Sequence, residues 1–172
     1  MSKITYRFMT VTDVAIYREL RLRGLKEHPE AFLESYEDAI QWPLERFERY
    51  FENGWIIGAF REKTLVGMSG LYRQAGSKVA HKGTVWGVYV APEARGHGIA
   101  RTAINMLIDE AVKAGIEQVQ LAADENNPFA VGLYKGLGFE VYGNEKHQLK
   151  LVDKYVDDLL MVKFLTQQQV AA

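Results

Sequence analysis

Residues 84–123, "TVWGVYVAPEARGHGIARTAINMLIDEAVKAGIEQVQLAA", constrain this chain more than any other stretch. Val85 to Val90 is apolar at nearly every position, which reads as a strand buried on both faces and central in a sheet. A glycine loop, "RGHGIAR", follows. The next segment carries Ala100, Ala103, Ile104, Leu107, Ile108 and Ala111 at helical spacing, with Arg101, Asn105 and Asp109 opposite. That pattern predicts a helix to about Ala114, stopped by Gly115. "EQVQLAA" then alternates as a strand, completing one strand–helix–strand unit.

The remaining segments place that unit in a mixed α/β chain. Ile4 to Phe8 reads as a short strand, and "TVTDVAIYRELRLRGLKEHP" as a helix started by Thr/Asp and stopped at Pro29. A second helix is expected from "WPLERFERYFENG", with Pro43 in its first turn and Gly54 beyond its end. "WIIGAF" and "LVGMSGLYR" form a hairpin around the charged "REKT". In "ENNPFAVGLYKGLGF", Asn127 suits an N-cap, Pro128 the first turn and Gly138 a left-handed C-terminal position. "FEVYG", "HQLKL" and "YVDDLLMVKFL" are expected as closing strands. Residues 1–165 are expected to make one domain, with 166–172 as a frayed tail.

Composition removes several functions. No cysteine is present, so thiolate catalysis, disulfides and thiolate metal sites are excluded. His28, His81, His97 and His147 lie far apart without metal-ligand spacing, so no metal is expected. A net charge of −1 gives no electrostatic ground for nucleic acid. The N-terminus lacks a signal-peptide pattern and no run approaches the roughly 20 apolar residues of a membrane span. A soluble cytoplasmic protein without a membrane partner is the expectation.

"RGHGIAR" has two readings. Gly96 and Gly98 can let the backbone approach a ligand, and the helix that follows presents free N–H groups and the positive end of its dipole, suited to a pyrophosphate. Arg95 and Arg101 can add charge. Alternatively, the loop is a turn that needs glycine only for its geometry. A dinucleotide site fits poorly, because Arg101 occupies the third glycine position and four residues, Pro92 to Arg95, separate strand from loop.

"VYVAPEARGHGIARTAINMLIDEA" followed by "ENNPFAVGLYKGLGFE" resembles the GCN5-related N-acetyltransferase (GNAT) superfamily. Arg95, Gly98 and Ala100 match its acyl-CoA signature, and Asn127, Ala130, Leu133, Tyr134, Gly138 and Phe139 match its second. The resemblance covers roughly residues 84 to 142. It implies a central, mostly antiparallel mixed sheet flanked by helices and splayed, usually with a bulge, where acyl-CoA binds. It further implies acetyl transfer from acetyl-CoA to a primary amine of a small molecule or peptide, by direct attack in a ternary complex. The pyrophosphate would lie on the N–H groups of Arg95, Gly96, His97, Gly98, Ile99, Ala100 and Arg101. The pantetheine arm would pair with Val88, Tyr89 and Val90, and Asn127 and Tyr134 would flank it. Tyr134 would protonate the leaving sulfur, and the Val88 N–H would polarise the acetyl carbonyl.

The strand "KGTVWGVYV" lacks the glutamate that many family members use as a base. A water relay to Glu34, Glu37, His81 or Asp124 is the available substitute, and a non-catalytic acyl-CoA-binding regulatory module is the alternative function. Residues 27–52 hold eight acidic and two basic side chains with Phe32, Tyr36 and Trp42, which reads either as a mouth for a cationic amine or as a solvated helix face. Exposed sheet edges leave room for a homodimer.

Overall fold

Seven strands form one sheet in the computed structural model, which describes residues 3–165. The hairpin expected around "REKT" is present: β2 (Gly54–Arg61) and β3 (Thr64–Arg73) pair antiparallel. β1 (Ile4–Phe8) adds to β2 and β4 (Lys82–Val90) to β3, both antiparallel. The helix α4 (Ile99–Lys113) then returns the chain, so β5 (Gln118–Asp124) runs parallel to β4. β6 (Glu140–Lys150) and β7 (Tyr155–Phe164) close the sheet in the order β1-β2-β3-β4-β5-β7-β6. Only one neighbour pair is parallel, as the mixed, mostly antiparallel expectation requires.

Strand alternation sends side chains to two cores. Ile57, with Leu71 and Val85, packs under α4 through Ile104, Leu107 and Ala111. Its neighbour Ile56, with Met68 and Tyr89, packs on the other face against Tyr17, Leu25 and Phe47. That second face is covered by α1 (Val14–Glu27), a one-turn helix α2 (Tyr36–Ala39) and α3 (Leu44–Glu48). A 3-10 turn over Val11–Asp13 leads into α1, and the Asp13 carboxylate accepts from the Thr10 N–H at 2.9 Å. The last helix, α5 (Pro128–Gly136), lies on the α4 face, where Tyr134 and Phe139 join the core.

Two sequence expectations change. "FEVYG" and "HQLKL" belong to one strand, β6, because the chain continues through an irregularity between Glu145 and Leu149. There His147 takes a φ of 55°, and its N–H donates to Asp157 at 2.7 Å. The single helix expected after Pro43 is α3 followed by a 3-10 turn, Arg49–Phe51, and α2 was not expected at all. Ser35 begins α2 by accepting from the Asp38 N–H at 3.1 Å, a cap without an apolar period long enough to see. No helix among the described residues is long and apolar enough to cross a membrane. The expected tail, 166–172, lies outside the described residues.

Candidate active site

The sheet opens at its centre. β4 and β5 pair only through Lys82↔Gln118, Gly83↔Val119 and Thr84↔Gln120. Beyond Thr84 the two strands diverge, so the backbone from Val85 to Val90 pairs with β3 on one side and no strand on the other. This explains why only Val85 and Tyr89 of that apolar run are buried, whereas Trp86, Val88 and Val90 are partly exposed. On the β3 side Met68 faces Tyr89 and Gly70 faces Trp86, which leaves one extra residue in β4 at Gly87–Val88. Gly87 accommodates the bulge with a φ of 61°. Tyr89 is pinned toward α1, where its hydroxyl donates to Glu27 at 2.5 Å.

At the wide end of the gap lies the loop 95–101. Gly96 and Gly98 have φ of 82° and 69°, and a Cβ added to either would meet nothing within 4 Å. Glycine is thus needed there for backbone conformation, and the surrounding space stays open to a ligand. Gly98 is the residue before α4, and the Thr102 N–H donates to the Gly98 carbonyl at 3.0 Å as the helix begins. The N–H groups of Ile99, Ala100 and Arg101 therefore stand at an open helix N-terminus. Arg95 ties the loop down: its Nε donates to the Val90 carbonyl at 3.0 Å and its guanidinium meets His28 at 3.0 Å. His97 folds back to the Arg95 carbonyl at 2.9 Å. Arg101 reaches across to α5 and donates to the Gly136 carbonyl at 3.0 Å.

α5 forms the opposite wall. Asn127 caps it, its side-chain oxygen accepting from the Ala130 N–H at 3.1 Å. Seven residues on, Tyr134 is 7% exposed and packs edge-on against Phe139. Burial pushes its phenol up to about 12, so it holds its proton at neutral pH. Free strand backbone and an open helix N-terminus together suit a narrow, extended ligand with an anionic end.

The other face of the gap opens into a cavity of about 480 Å³. Thr84 to Gly87 and Ala122 form its floor, Phe32 and Tyr50 one wall, Leu149 and Asp158 the other. Asp158 on β7 is 8% exposed and has no hydrogen bond or ion pair among the described residues. Its pKa is raised to about 6, chiefly by burial, and further by Asp124, Glu145 and Asp157. Asp124 and Glu145 are its direct cross-strand partners on β5 and β6. Glu34 also lines the cavity, but it is engaged: it accepts from Arg21 at 2.5 Å and from the Tyr50 hydroxyl at 2.8 Å.

Of the other residues suggested for proton transfer, two stand apart and one adjoins Asp158. Glu37 lies on exposed α2, and His81 precedes the closed end of the β4–β5 ladder. Asp124 is beside Asp158 and accepts from the Asn126 N–H at 2.9 Å. Three of the eight acids in the run 27–52 are engaged: Glu27 holds Arg23 and Tyr89, Glu30 meets His28, and Glu34 holds Arg21 and Tyr50, while Glu37, Asp38, Glu45 and Glu52 are exposed. Sequence reasoning missed Asp158 and Arg21, and each had a signal. Val156, Asp158, Leu160 and Val162 share one strand face, so Asp158 interrupts an apolar row. Arg21 interrupts the helical row Val14, Tyr17, Leu25 in the same way.

A family model described as the Acetyltransferase (GNAT) family matches residues 14–139. A mycothiol acetyltransferase of Thermobispora bispora is 33% identical over 134 residues, covering 74% of this chain and 43% of that protein. The chain spans less than half the length of the curated relatives it matches. Among solved structures, an acetyltransferase of the GNAT family from Streptococcus pneumoniae superposes with a TM-score of 0.85 at 21% identity, over 95% of this chain and 100% of that one. YncA of Salmonella typhimurium, solved with its cofactor acetyl-CoA, superposes with a TM-score of 0.80 at 20% identity, over 96% of this chain and 95% of that one.

Proposed function

The chain belongs to the GNAT acetyltransferase family, and from that premise we propose that it transfers an acetyl group from acetyl-CoA to a primary amine of a small molecule or peptide. The observation that carries this reading is the gap between β4 and β5, flanked by the phosphate-type cradle and α5 on one face and by the Asp158 cavity on the other. The loop Arg95 to Arg101 holds the pyrophosphate, Val88 to Val90 offer backbone to the pantetheine arm, and Asn127 lies along it. Acetyl-CoA supplies the acetyl group as a thioester.

Three tasks fall to this chain's own residues. The acceptor arrives as an ammonium ion, and Asp158, with a pKa of about 6, is the base that removes its proton. It is preferred to Glu34, whose two carboxylate oxygens already accept from Arg21 and Tyr50. The Val88 N–H at the bulge polarises the carbonyl oxygen. The Tyr134 hydroxyl keeps its proton until the departing sulfur needs it.

The test is thiol release from acetyl-CoA over a library of amines. Release that requires an added acceptor supports the transferase. Acetyl-CoA binding with no acceptor-dependent release from any amine overturns it in favour of the regulatory acyl-CoA-binding module.

A further inference from the structure

Arg21 has a feature that proton transfer does not use. The residue is 3% exposed, lines the proposed acceptor cavity, and its Nη1 is buried with no hydrogen-bond partner among the described residues. Its other terminal nitrogen is occupied by Glu34 at 2.5 Å. A buried guanidinium N–H without an acceptor is unfavourable, and such a group in a native structure calls for a missing oxygen. Packing holds the guanidinium in place: it lies 4.6 Å from the centre of the Phe32 ring and 5.7 Å from that of Trp86.

The position of that nitrogen is informative. A Cβ built on Gly87 would stand 3.2 Å from Nη1, so the orphaned donor sits at the β4 bulge. Gly87 immediately precedes Val88, the proposed donor to the acetyl carbonyl. An oxygen received by Nη1 therefore belongs to the part of the acceptor next to the reacting amine.

Charge within the cavity points the same way. Arg21 and Arg49 face Glu34 and Asp158, two cations against two carboxylates. Glu34 is consumed by Arg21 and Tyr50, which leaves Asp158 as the carboxylate free to receive an ammonium ion. The cations enter from α1 and the turn after α3, whereas Asp158 enters from β7, on the far side of β5. One cavity thus holds an unpartnered cationic donor at the β4 bulge and a free carboxylate on β7, so a ligand carrying both a carboxylate and an amine can be hydrogen-bonded at each end. A polyamine would leave the Arg21 donor without an acceptor and would bring further cations toward Arg21 and Arg49. Phe32, Leu33, Tyr50, Tyr72, Trp86 and Leu149 make much of the remaining lining apolar and aromatic, with Asn53, Thr84 and Gln148 as its uncharged polar members.

We infer that the acceptor is a free amino acid with an apolar side chain, its amine directed to Asp158 and its carboxylate to Arg21. The inference rests on the proposed acetyl transfer. In that reaction the ammonium ion gives one proton to Asp158, the amine nitrogen bonds to the acetyl carbon and the carbon–sulfur bond breaks; the sulfur takes its proton from Tyr134, and the second proton lost by nitrogen restores the Tyr134 hydroxyl.

The decisive comparison uses the unaltered chain with L-phenylalanine, L-phenylalanine amide, phenethylamine, L-leucine, L-leucinamide and spermidine. Thiol release is expected with kcat/KM at least tenfold higher for each free acid than for its amide or decarboxylated amine. Calorimetric titration in the presence of coenzyme A should show the same order of affinity without turnover. Arg21→Lys keeps a cation beside Glu34 but removes Nη1. It should raise the KM for L-phenylalanine at least tenfold, change that for phenethylamine less than threefold, and leave coenzyme A binding unchanged. If the amides, phenethylamine or spermidine equal or exceed the acids, the carboxylate site is overturned while acetyl transfer stands. If no member of the panel supports thiol release, the carboxylate site falls, and extension to peptide amines decides the transfer reaction itself.

Discussion

Replacing Asp158 with asparagine should cripple the reaction and strengthen the fold, and the two effects come from one cause. The carboxylate is 8% exposed, faces Asp124 and Glu145 across the strands, and has a pKa raised from 3.8 to about 6. A native pKa above the unfolded value means that the folded chain binds the proton more tightly. Stability therefore falls as pH rises from about 4 to about 6 and stays low above that. A shift of about two units corresponds to at most ~3 kcal/mol. Solvent reaching Asp158 through the cavity reduces this to about 1–2 kcal/mol. Asparagine has nearly the same shape and carries no charge, so Asp158→Asn should raise Tm by about 4 °C at pH 8 for a chain of this size. The gain should shrink as pH falls from 6 to 4. Loss of a general base costs about 10²- to 10⁴-fold in kcat/KM, and the unaltered enzyme should lose activity below about pH 6. Differential scanning calorimetry from pH 4 to 8, paired with thiol-release kinetics, reads both effects. A variant less stable than the original at pH 8, or one retaining kcat/KM within fivefold, would refute the reasoning.

Other substitutions separate roles that share this site. Tyr134→Phe should lower kcat at least tenfold while coenzyme A affinity, measured calorimetrically, changes less than threefold, since the ring and its contact with Phe139 remain. Glu34→Gln leaves the buried Arg21 guanidinium without its charge partner, so a loss of about 2 kcal/mol in urea unfolding is expected. If Glu34 were the base, the loss would appear mainly in kcat. Two glycines with open surroundings should behave oppositely. Gly98→Ala forces a side chain into a φ of 69° and should cost about 1–2 kcal/mol and weaken coenzyme A binding. Gly132→Ala, inside α5 and without positive φ, should stabilise by about 0.5–1 kcal/mol. Both are checked by urea denaturation.

The elements of the proposed donor half were legible in the sequence because they are contiguous segments. Gly96, Gly98 and the apolar stripe of α4 give a loop and a helix start, and Asn127, Pro128 and Gly138 bound α5. The acceptor half was not legible, because it is assembled from α1, the turns around α3, and β4 to β7, elements that meet only after the sheet forms. The dense acidic run 27–52 drew attention by its composition, yet of its eight acids only Glu34 lines the cavity, and that one is held by Arg21 and Tyr50. Asp158 and Arg21 were visible only as single polar residues interrupting apolar rows. The divergence of β4 from β5 is likewise absent from the local pattern, since the Val85–Val90 run reads the same whether or not a partner continues alongside.

That divergence also bears on how the molecule comes apart. α4 packs on β2, β3 and β4, whereas α5 packs on β5, so each side of the gap has its own helix. Three residue pairs of the β4–β5 ladder, the core shared beneath α4 and α5, and clasps such as Arg101 on Gly136 join the two sides. The cradle belongs to one side and the Asn127–Tyr134 wall to the other. A ligand lying between them acts as a splint across a seam. Without it, amide hydrogen exchange should show β5, β6 and β7 opening as a unit at lower free energy than β1 to β4, and coenzyme A should bring the two rates together.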